Sequence, residues 1–370
     1  MKFKRIAAML LAAAMVMSLV ACGSSSSSSS SSDSSSSDAA EEETEDAEAE
    51  EEEEESDSLL GSDSATIRLT IGTTTAADGH YVLGLVAMQE KLEELSDGEM
   101  TLDIYPNSAL GGESDMMDAV SLGTQDMVLS STGPIPSFSS ATSNWATLDL
   151  PYLFETKEDA YAVFDGEIGQ ELLDEFEGTG IKALGIWENG YRELTNNTKE
   201  IATPDDLAGM KIRTMENDVH MATYTALGAT PTAMAWGEIF SALQQGTVDG
   251  QENPLAIILT AKVYEVQQYV SMIDLFYSPC VLMINEDTYN NFTDDQKAWF
   301  DEAAEYGKEQ ERAISQEIED SAREQMEAEG VIFTDVDKEV WIEAVQSVYE
   351  DESLGIDQDL LARIQEATAD

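Results

Sequence analysis

Strand-like and helix-like segments alternate between residues 67 and 130, and this alternation constrains the fold more than any other feature of the chain. Short apolar runs rich in branched residues favour strands, whereas apolar residues spaced three and four apart favour helices. The predicted order is a strand over 67–71, a helix over 81–95, a strand over 100–105, a helix over 113–122 and a strand over 126–130. Such an order is typical of an α/β protein whose mainly parallel sheet is covered by helices.

A second α/β unit begins near Asn189. Thr203 as N-cap and Pro204 at the first helical position predict a short helix, which Gly209 ends. The following segments are a strand over 210–213, a helix over 218–227 and a helix over 237–245, and β-rich runs between 264 and 285 are compatible with a return to the first unit. The sequence therefore predicts two lobes rather than one.

The C-terminal region carries the signal of one long helix. Thr293 and Gln296 form a capping box, and the helical pattern after them continues through Gly307 to Gly330. At 1.5 Å per residue such a helix is roughly 55 Å long, which exceeds the size of one small domain. We expect it to brace both lobes.

The N-terminal residues 1–21 are typical of a signal peptide. Positive residues precede an apolar run that is shorter than the roughly 20 residues needed to span a bilayer. The run ends in Leu-Val-Ala-Cys-Gly, a lipobox-like sequence that predicts lipidation of Cys22, with ordinary cleavage after Ala21 as the alternative. Residues 22–64 hold a serine tract and an acidic run with little to bury, so we expect a disordered tether.

The charge balance excludes several classes of partner. The chain has 75 acidic and 18 basic residues, a formal net charge of −57, and most of the acids lie after residue 64. Nucleic acids and anionic lipid surfaces are therefore not expected to bind the folded part. Any bound anion must rely on a local positive site.

Two isolated arginines are the best physical evidence for such a site. Between Leu69 and Glu311 the only arginines in the sequence are Arg192 and Arg213. A planar guanidinium matches a carboxylate bidentately, which makes an anion site one interpretation. Structural salt bridges to the abundant acids are the other.

The stretch from Asp205 to Pro254 resembles the solute-binding proteins of TRAP transporters, the DctP family, and the resemblance covers roughly residues 66 to 350. It implies that Arg213, in Lys-Ile-Arg, pairs with the ligand carboxylate, and that Arg192, in Gly-Tyr-Arg-Glu-Leu-Thr, is the family's second arginine. It also implies that Trp236 packs on the ligand and that Asn253, in Val-Asp-Gly-Gln-Glu-Asn-Pro, makes a polar contact.

Further ligand contacts are expected at the start of the second lobe's helix and in the first lobe. Glu216 or Asn217 matches another family contact, although Asp218 stands where many relatives have proline. The first lobe offers the hydroxyls of Thr74 and Ser131, and His80 is expected to line the cleft near the threonine loop. Loops that are rich in hydroxyls and lack cations fit a uronate or another sugar acid better than a dicarboxylate.

Catalysis finds little support in the sequence. His80 and His220 are the only histidines, and neither lies in a nucleophile or zinc motif, so no catalytic residue, metal or cofactor is expected. His220, on the predicted helix 218–227, is interpreted as structural. Glu252 is expected to hold its turn rather than touch the ligand, and Cys280 to be inert core.

The combined prediction is a two-lobed, periplasmic-binding-protein-like α/β fold with a ligand cleft between the lobes and a long C-terminal bracing helix. The predicted division is lobe 1 over 65–190 with part of the C-terminal region, lobe 2 over 191–285, and bracing helices over 286–370. The resemblance implies an organic-acid ligand, a TRAP membrane permease as partner, and a lipid-anchored location at the outer face of the cytoplasmic membrane. A secreted carboxylate-processing enzyme and a passive surface lipoprotein remain the alternatives.

Overall fold

Two six-stranded sheets organise the part of the chain that the structure, a computed structural model, describes, which is residues 58–369. The predictions for the signal peptide, for Cys22 and for nearly all of the tether lie outside the described residues. No helix among residues 58–369 is both long and apolar enough to cross a membrane.

The first sheet has the strand order β1-β3-β2-β4-β11-β5. Its strands are β1 Leu59–Leu60, β2 Ile67–Gly72, β3 Met100–Tyr105, β4 Met127–Ser131, β5 Ile181–Tyr191 and β11 Tyr277–Asn285. β2 pairs in parallel with β3 and β4, as the alternating sequence predicts, whereas β11 runs antiparallel to β4 and β5. The sheet is therefore mixed, and its parallel half carries the threonine loop at the carboxyl end of β2.

The second sheet has the order β12-β10-β6-β9-β7-β8. Its strands are β6 Glu193–Asn196, β7 Lys211–Thr214, β8 Thr230–Ala233, β9 Gly250–Asn253, β10 Tyr269–Met272 and β12 Ile332–Asp335. The β-rich run ending at residue 285 does return the chain to the first sheet, because β11 pairs there. The predicted range of lobe 2, residues 191–285, includes β11, although β11 pairs with β4 and β5 of the first sheet. The division into lobes stays a prediction.

Helices cover the sheets and connect their strands. The α-helices are α1 His80–Leu95, α2 Glu113–Ser121, α3 Ile135–Phe138, α4 Lys157–Phe164, α5 Glu167–Asp174, α6 Asp218–Ala226, α7 Ile239–Gln244, α8 Leu255–Thr260, α9 Glu286–Asn290, α10 Asp294–Ala328, α11 Lys338–Ala344, α12 Gln346–Tyr349 and α13 Gln358–Ala367. Short 3-10 helices span Ser140–Asp149, Pro204–Leu207, Trp236–Glu238, Val263–Glu265 and Glu352–Leu354. The helix predicted over 237–245 is thus one 3-10 turn followed by α7.

The predicted long helix is α10, a single helix of 35 residues. The Thr293 hydroxyl accepts a hydrogen bond from the Gln296 backbone amide, and the Gln296 side-chain oxygen accepts one from the Thr293 backbone amide, which is the predicted capping box. Gly307 allows the middle of the helix to pack closely on α1 and β5, because a Cβ there would lie 2.8 Å from Met88 of α1 and 2.9 Å from Trp187 of β5.

The long helix also meets both sheets. α10 packs on α1 and β5 on one side and on α8 and β12 on the other. The predicted two-lobed α/β fold with a long C-terminal bracing helix is therefore confirmed.

Candidate functional site

A cavity lies between the ends of β2 and β4 of the first sheet and the ends of β7 and β9 of the second. It has about 330 Å³ of empty space, counting the solvent at its mouth. Its lining consists of Thr74, Thr75, Tyr81, Glu113, Ser131, Asn189, Arg192, Arg213, Met215, Trp236, Asn253 and Ile257. Six of the nine predicted ligand-binding residues are in this lining: Arg213, Arg192, Asn253, Trp236, Thr74 and Ser131.

Arg213 presents a buried positive charge to the cavity. The side chain comes from β7 and is only 3% exposed. Its Nε donates to the carbonyl oxygen of Met234 at 2.9 Å, but no carboxylate of the described residues lies within salt-bridge distance of it. Burial and the neighbouring charge of Arg192 lower the pKa of Arg213 to about 10. An anion in the cavity would relieve this unfavourable charge.

Arg192 lies beside Arg213 but already has an acidic partner. Its Nε and Nη2 donate to the carboxylate of Glu252, with Nη2–Oε1 at 3.1 Å, and Nη2 also reaches the Glu252 carbonyl oxygen at 2.8 Å. Burial opposes the charge of Arg192, but Glu252 outweighs it and raises the pKa. The remaining nitrogen, Nη1, is buried without a hydrogen-bond partner among the described residues. It is the part of Arg192 left for a ligand.

Trp236 and Asn253 complete the second-lobe side of the cavity. Trp236 is partly exposed, and its ring centroid lies 6.0 Å from the Arg213 guanidinium carbon. Asn253 ends β9, is 5% exposed and donates to Gln251 Oε1 at 2.5 Å. An aromatic face and an amide are thus placed next to the two arginines.

The first-lobe side of the cavity is polar and contains no cation among its described residues. Thr74 and Thr75 follow β2, and the Thr75 hydroxyl is buried without a partner. Glu113, at the start of α2, accepts hydrogen bonds from the Ser131 amide and hydroxyl, both at 2.8 Å. These groups offer hydroxyl and carboxylate oxygens rather than positive charge.

Three predicted ligand contacts are not in the lining. His80 is fully buried at the start of α1, where its Nε2 lies 3.7 Å from Glu311 Oε1 and burial lowers its pKa to about 4. Glu216 is exposed and accepts a hydrogen bond from the Ser114 hydroxyl at 3.3 Å.

Asn217 is the third, and its side chain has other partners. It caps α6 and donates to Gly133 O and to Asp149 Oδ2, at 3.2 and 2.7 Å. The geometry therefore gives Asn217 and Glu216 contacts between segments of the protein, not contacts with the cavity.

Besides Thr75, which belongs to the predicted threonine loop, five lining residues were not singled out from the sequence. Tyr81, Met215 and Ile257 belong to apolar helix or strand patterns that also describe core positions, so nothing in the pattern separates them. Asn189 and Glu113 could have been predicted from the sequence, because polar residues beside a sharp turn at the end of a strand or helix are candidates for ligand binding.

The described residues show no catalytic or metal-binding constellation. No group of three or more histidine, cysteine, aspartate or glutamate side chains in residues 58–369 could hold a metal ion. Both histidines are fully buried, and Cys280 is a buried free thiol whose pKa burial raises well above its usual value. The arrangement can bind an anion and surround it with hydrogen-bonding groups.

Comparisons with known proteins agree with this geometry. The model of the family described as bacterial extracellular solute-binding protein, family 7 (DctP), matches residues 71–353. The 2,3-diketo-L-gulonate-binding periplasmic protein YiaO of Escherichia coli is 31% identical over 285 residues, which are 77% of this chain and 86% of that protein.

Two solved structures extend the comparison to the fold. A TRAP periplasmic solute-binding protein from Polaromonas, bound to D-erythronate, has a TM-score of 0.78 and 38% identity, covering 81% of this chain and 98% of that one. A sugar acid binding protein from Advenella mimigardefordensis, in complex with galactonate, has a TM-score of 0.79 and 30% identity, covering 82% of this chain and 98% of that one.

Proposed function

Because the chain belongs to the bacterial extracellular solute-binding proteins of family 7, we propose that it captures a hydroxylated monocarboxylate, a uronate or another sugar acid, and delivers it to a TRAP membrane permease. Its place in the family makes it an extracytoplasmic binding protein of a transporter and not an enzyme. The ligand class and the delivery step are the parts that we propose.

One observation carries the proposal: Arg213 is a buried guanidinium that faces a cavity and has no carboxylate within salt-bridge distance among the described residues. A buried charge without a counter-ion is costly, and a planar carboxylate accepts the two parallel hydrogen bonds that a guanidinium offers. The unpartnered Nη1 of Arg192 adds a third donor nearby. A carboxylate ligand satisfies all of these groups at once.

The first-lobe wall supports a single carboxylate with hydroxyl groups. The hydroxyls of Thr74, Thr75 and Ser131 and the carboxylate of Glu113 accept or exchange hydrogen bonds with ligand hydroxyls. A second carboxylate on the ligand would meet Glu113 and no compensating cation. Sugar acids therefore fit this wall better than dicarboxylates.

Three of the similar proteins support the same class of ligand, although others are named or solved with C4-dicarboxylates such as succinate. The compared proteins from Polaromonas, Advenella and Escherichia coli are described with D-erythronate, galactonate and 2,3-diketo-L-gulonate, which are all hydroxylated or keto acids with one carboxylate. We infer the class from them and not the individual acid.

Isothermal titration calorimetry on the purified protein tests the proposal. Galactonate, D-erythronate, glucuronate and succinate are titrated separately, with galactose as the matched neutral sugar. We expect saturable 1:1 binding of at least one sugar acid, weaker binding of succinate and none of galactose. The absence of binding for every acid, or equal binding of galactose, contradicts the proposal.

We also propose that a lipid on Cys22 holds the protein at the outer face of the cytoplasmic membrane. The lipobox-like Leu-Val-Ala-Cys-Gly sequence supports this, as does the polar stretch between Cys22 and the first described residues, which can serve as a tether. In cells, Cys22→Ala is expected to release the protein from the membrane fraction. A membrane-bound Cys22→Ala protein contradicts the anchor.

A further inference from the structure

Four buried ionisable groups form a row that leads away from the cavity. Arg192 lines the cavity and pairs with Glu252, whose Oε1 lies 3.6 Å from His220 Nδ1. On the opposite edge of the imidazole, His220 Nε2 lies 3.7 Å from Asp149 Oδ1. All four side chains are at most 1% exposed, so solvent does not screen their charges.

The imidazole of His220 is held in one plane. The residue is in the first turn of α6, and its ring stacks on Phe276 with a centroid distance of 4.0 Å and an interplanar angle of 2°. This stacking turns the two ring nitrogens toward Glu252 on β9 and Asp149 at the end of the Ser140–Asp149 helix. Neither nitrogen has a partner within hydrogen-bond distance among the described residues, so these two carboxylates are the polar groups that face the ring.

This placement favours the doubly protonated ring. A neutral imidazole has one N–H and would turn a lone pair toward one of the two carboxylates, whereas an imidazolium has an N–H on each side. Burial lowers the pKa of His220, but Asp149 and Glu252 outweigh burial and raise it above the ordinary value. Burial by itself raises the pKa of Glu252, yet Arg192 and His220 bring it down to about 2, so this partner remains a carboxylate.

The same group connects the two sides of the cavity. Asp149 accepts hydrogen bonds from Thr132, at 3.1 Å, and from Asn217, at 2.7 Å. Thr132 follows Ser131 of the first-lobe wall, while Asn217 precedes α6 of the second lobe. His220 therefore lies between Glu252, which pairs with Arg192, and a carboxylate that accepts hydrogen bonds from residues of both lobes.

We propose that His220 is a positioning residue of the ligand site: as an imidazolium between Asp149 and Glu252, it fixes the Glu252 carboxylate that directs Nη1 of Arg192 into the cavity. The proposal rests on the proposed function, because it concerns the same cavity. It adds that ligand affinity depends on the protonation of a residue that never touches the ligand. Affinity is expected to fall as the pH rises through the titration of His220.

Nuclear magnetic resonance tests the charge first and needs no ligand. The chain has two histidines, so a ¹H–¹³C spectrum shows two imidazole Cε1–H signals, and His220→Gln and His80→Gln assign them. We expect the His220 signal to titrate above about pH 6.5, the ordinary histidine value, and the His80 signal far below it. A His220 midpoint at or below about 6.5 overturns the inference.

Calorimetry across pH tests the positioning role. With galactonate and D-erythronate as probes, we expect the parent's affinity to fall by about tenfold from pH 6 to pH 9, the change that corresponds to one pKa unit between free and bound protein. His220→Gln should bind more weakly at the lower pH and lose this pH dependence. His80→Gln, the matched control at the other buried histidine, should retain the parent's profile.

Asp149→Asn provides a second variant in case His220→Gln fails to fold. It keeps the imidazole but removes one of the two carboxylates beside it. The titration midpoint of His220 and the pH at which ligand affinity falls should therefore both decrease. Equal pH profiles in the parent and the folded variants overturn the inference. If the parent binds glucuronate instead, glucuronate replaces the two probes; a parent that binds none of the acids contradicts the proposed function, while the magnetic resonance midpoint still decides the charge of His220.

Discussion

Arg192, directly before β6, and Glu252, on the neighbouring strand β9, form a buried ion pair, whereas Arg213, one strand further along the sheet on β7, has no acidic partner within salt-bridge distance in the described residues. Leu194 of β6 lies opposite Glu252 of β9, which brings the side chain of Arg192 to the Glu252 carboxylate. Two arginines that look equivalent in the sequence therefore have different tasks. Arg192 stabilises the fold through Glu252 and also lines the cavity, whereas Arg213 is available to bind the ligand.

Arg213→Ala is expected to abolish most ligand binding. The variant leaves the ligand carboxylate buried without its cation, a loss of roughly 3–5 kcal/mol, which is about 10²- to 10⁴-fold in affinity. Arg213→Lys should recover part of this, because an ammonium lacks the planar fork. Calorimetry measures both, and Lys211→Ala, exposed on the same strand, is the matched control. Parent-like affinity in Arg213→Ala would refute the assignment.

Loss of the Arg192–Glu252 pair is expected to affect folding more than loss of Arg213. Glu252→Gln leaves Arg192 buried without its counter-ion and should lower the free energy of unfolding by about 3–5 kcal/mol. Arg213→Ala removes a charge that has no counter-ion and should leave the ligand-free protein within about 1 kcal/mol of the parent. Urea denaturation of the ligand-free proteins measures both. A larger loss in Arg213→Ala than in Glu252→Gln would argue against this division of roles.

Glu319 is expected to make stability depend on pH. It lies on α10 and accepts a hydrogen bond from the Ala256 amide at the start of α8, at 2.9 Å. Burial, opposed by the Ala256 and Leu255 amides, raises its pKa to about 7 from the ordinary 4.5. Because the folded value lies above the unfolded one, this contribution to stability is complete below about pH 4.5 and is lost as the pH rises to about 7.

Glu319→Gln tests that dependence. The amide oxygen can still accept from Ala256 but does not ionise, so the decline between about pH 4.5 and pH 7 should be smaller than in the parent. The free energy of unfolding in urea, measured at several pH values, gives the comparison. Glu317→Gln, at an exposed position on the same helix, should follow the parent curve. Identical curves for Glu319→Gln and the parent would show that Glu319 does not titrate in this range.

Trp236 is expected to report ligand binding. Its ring lines the cavity beside Arg213, while Trp145, Trp187 and Trp341 are fully buried elsewhere. Binding of galactonate should therefore change the tryptophan fluorescence, and Trp236→Leu should lose most of that change. The same variant should weaken binding by roughly 3- to 10-fold, because an aromatic face adds about 0.5–1.5 kcal/mol beyond the area that it buries. A full fluorescence response in Trp236→Leu would place the ligand elsewhere.

Local signals determined much of the fold from the sequence alone. The capping box at Thr293 and an uninterrupted helical pattern predicted α10, and the alternating apolar runs predicted the parallel strands β2, β3 and β4. The scarcity of arginine singled out Arg192 and Arg213, and both line the cavity. These features are readable because helix caps and strand patterns depend on residues only a few positions apart.

Only the tertiary structure decided which polar groups are paired. Arg192 and Glu252 are 60 positions apart, and so nothing in the local pattern could assign Glu252 to Arg192 rather than to Arg213. His80 was predicted to line the cleft because it is near the threonine loop, and Asn217 because the family resemblance implied a contact there. In the structure His80 is buried beside Glu311, and the Asn217 side chain donates to Asp149. Burial and pairing depend on which strands become neighbours, and that is settled by the packing of the whole chain rather than by any short segment of it.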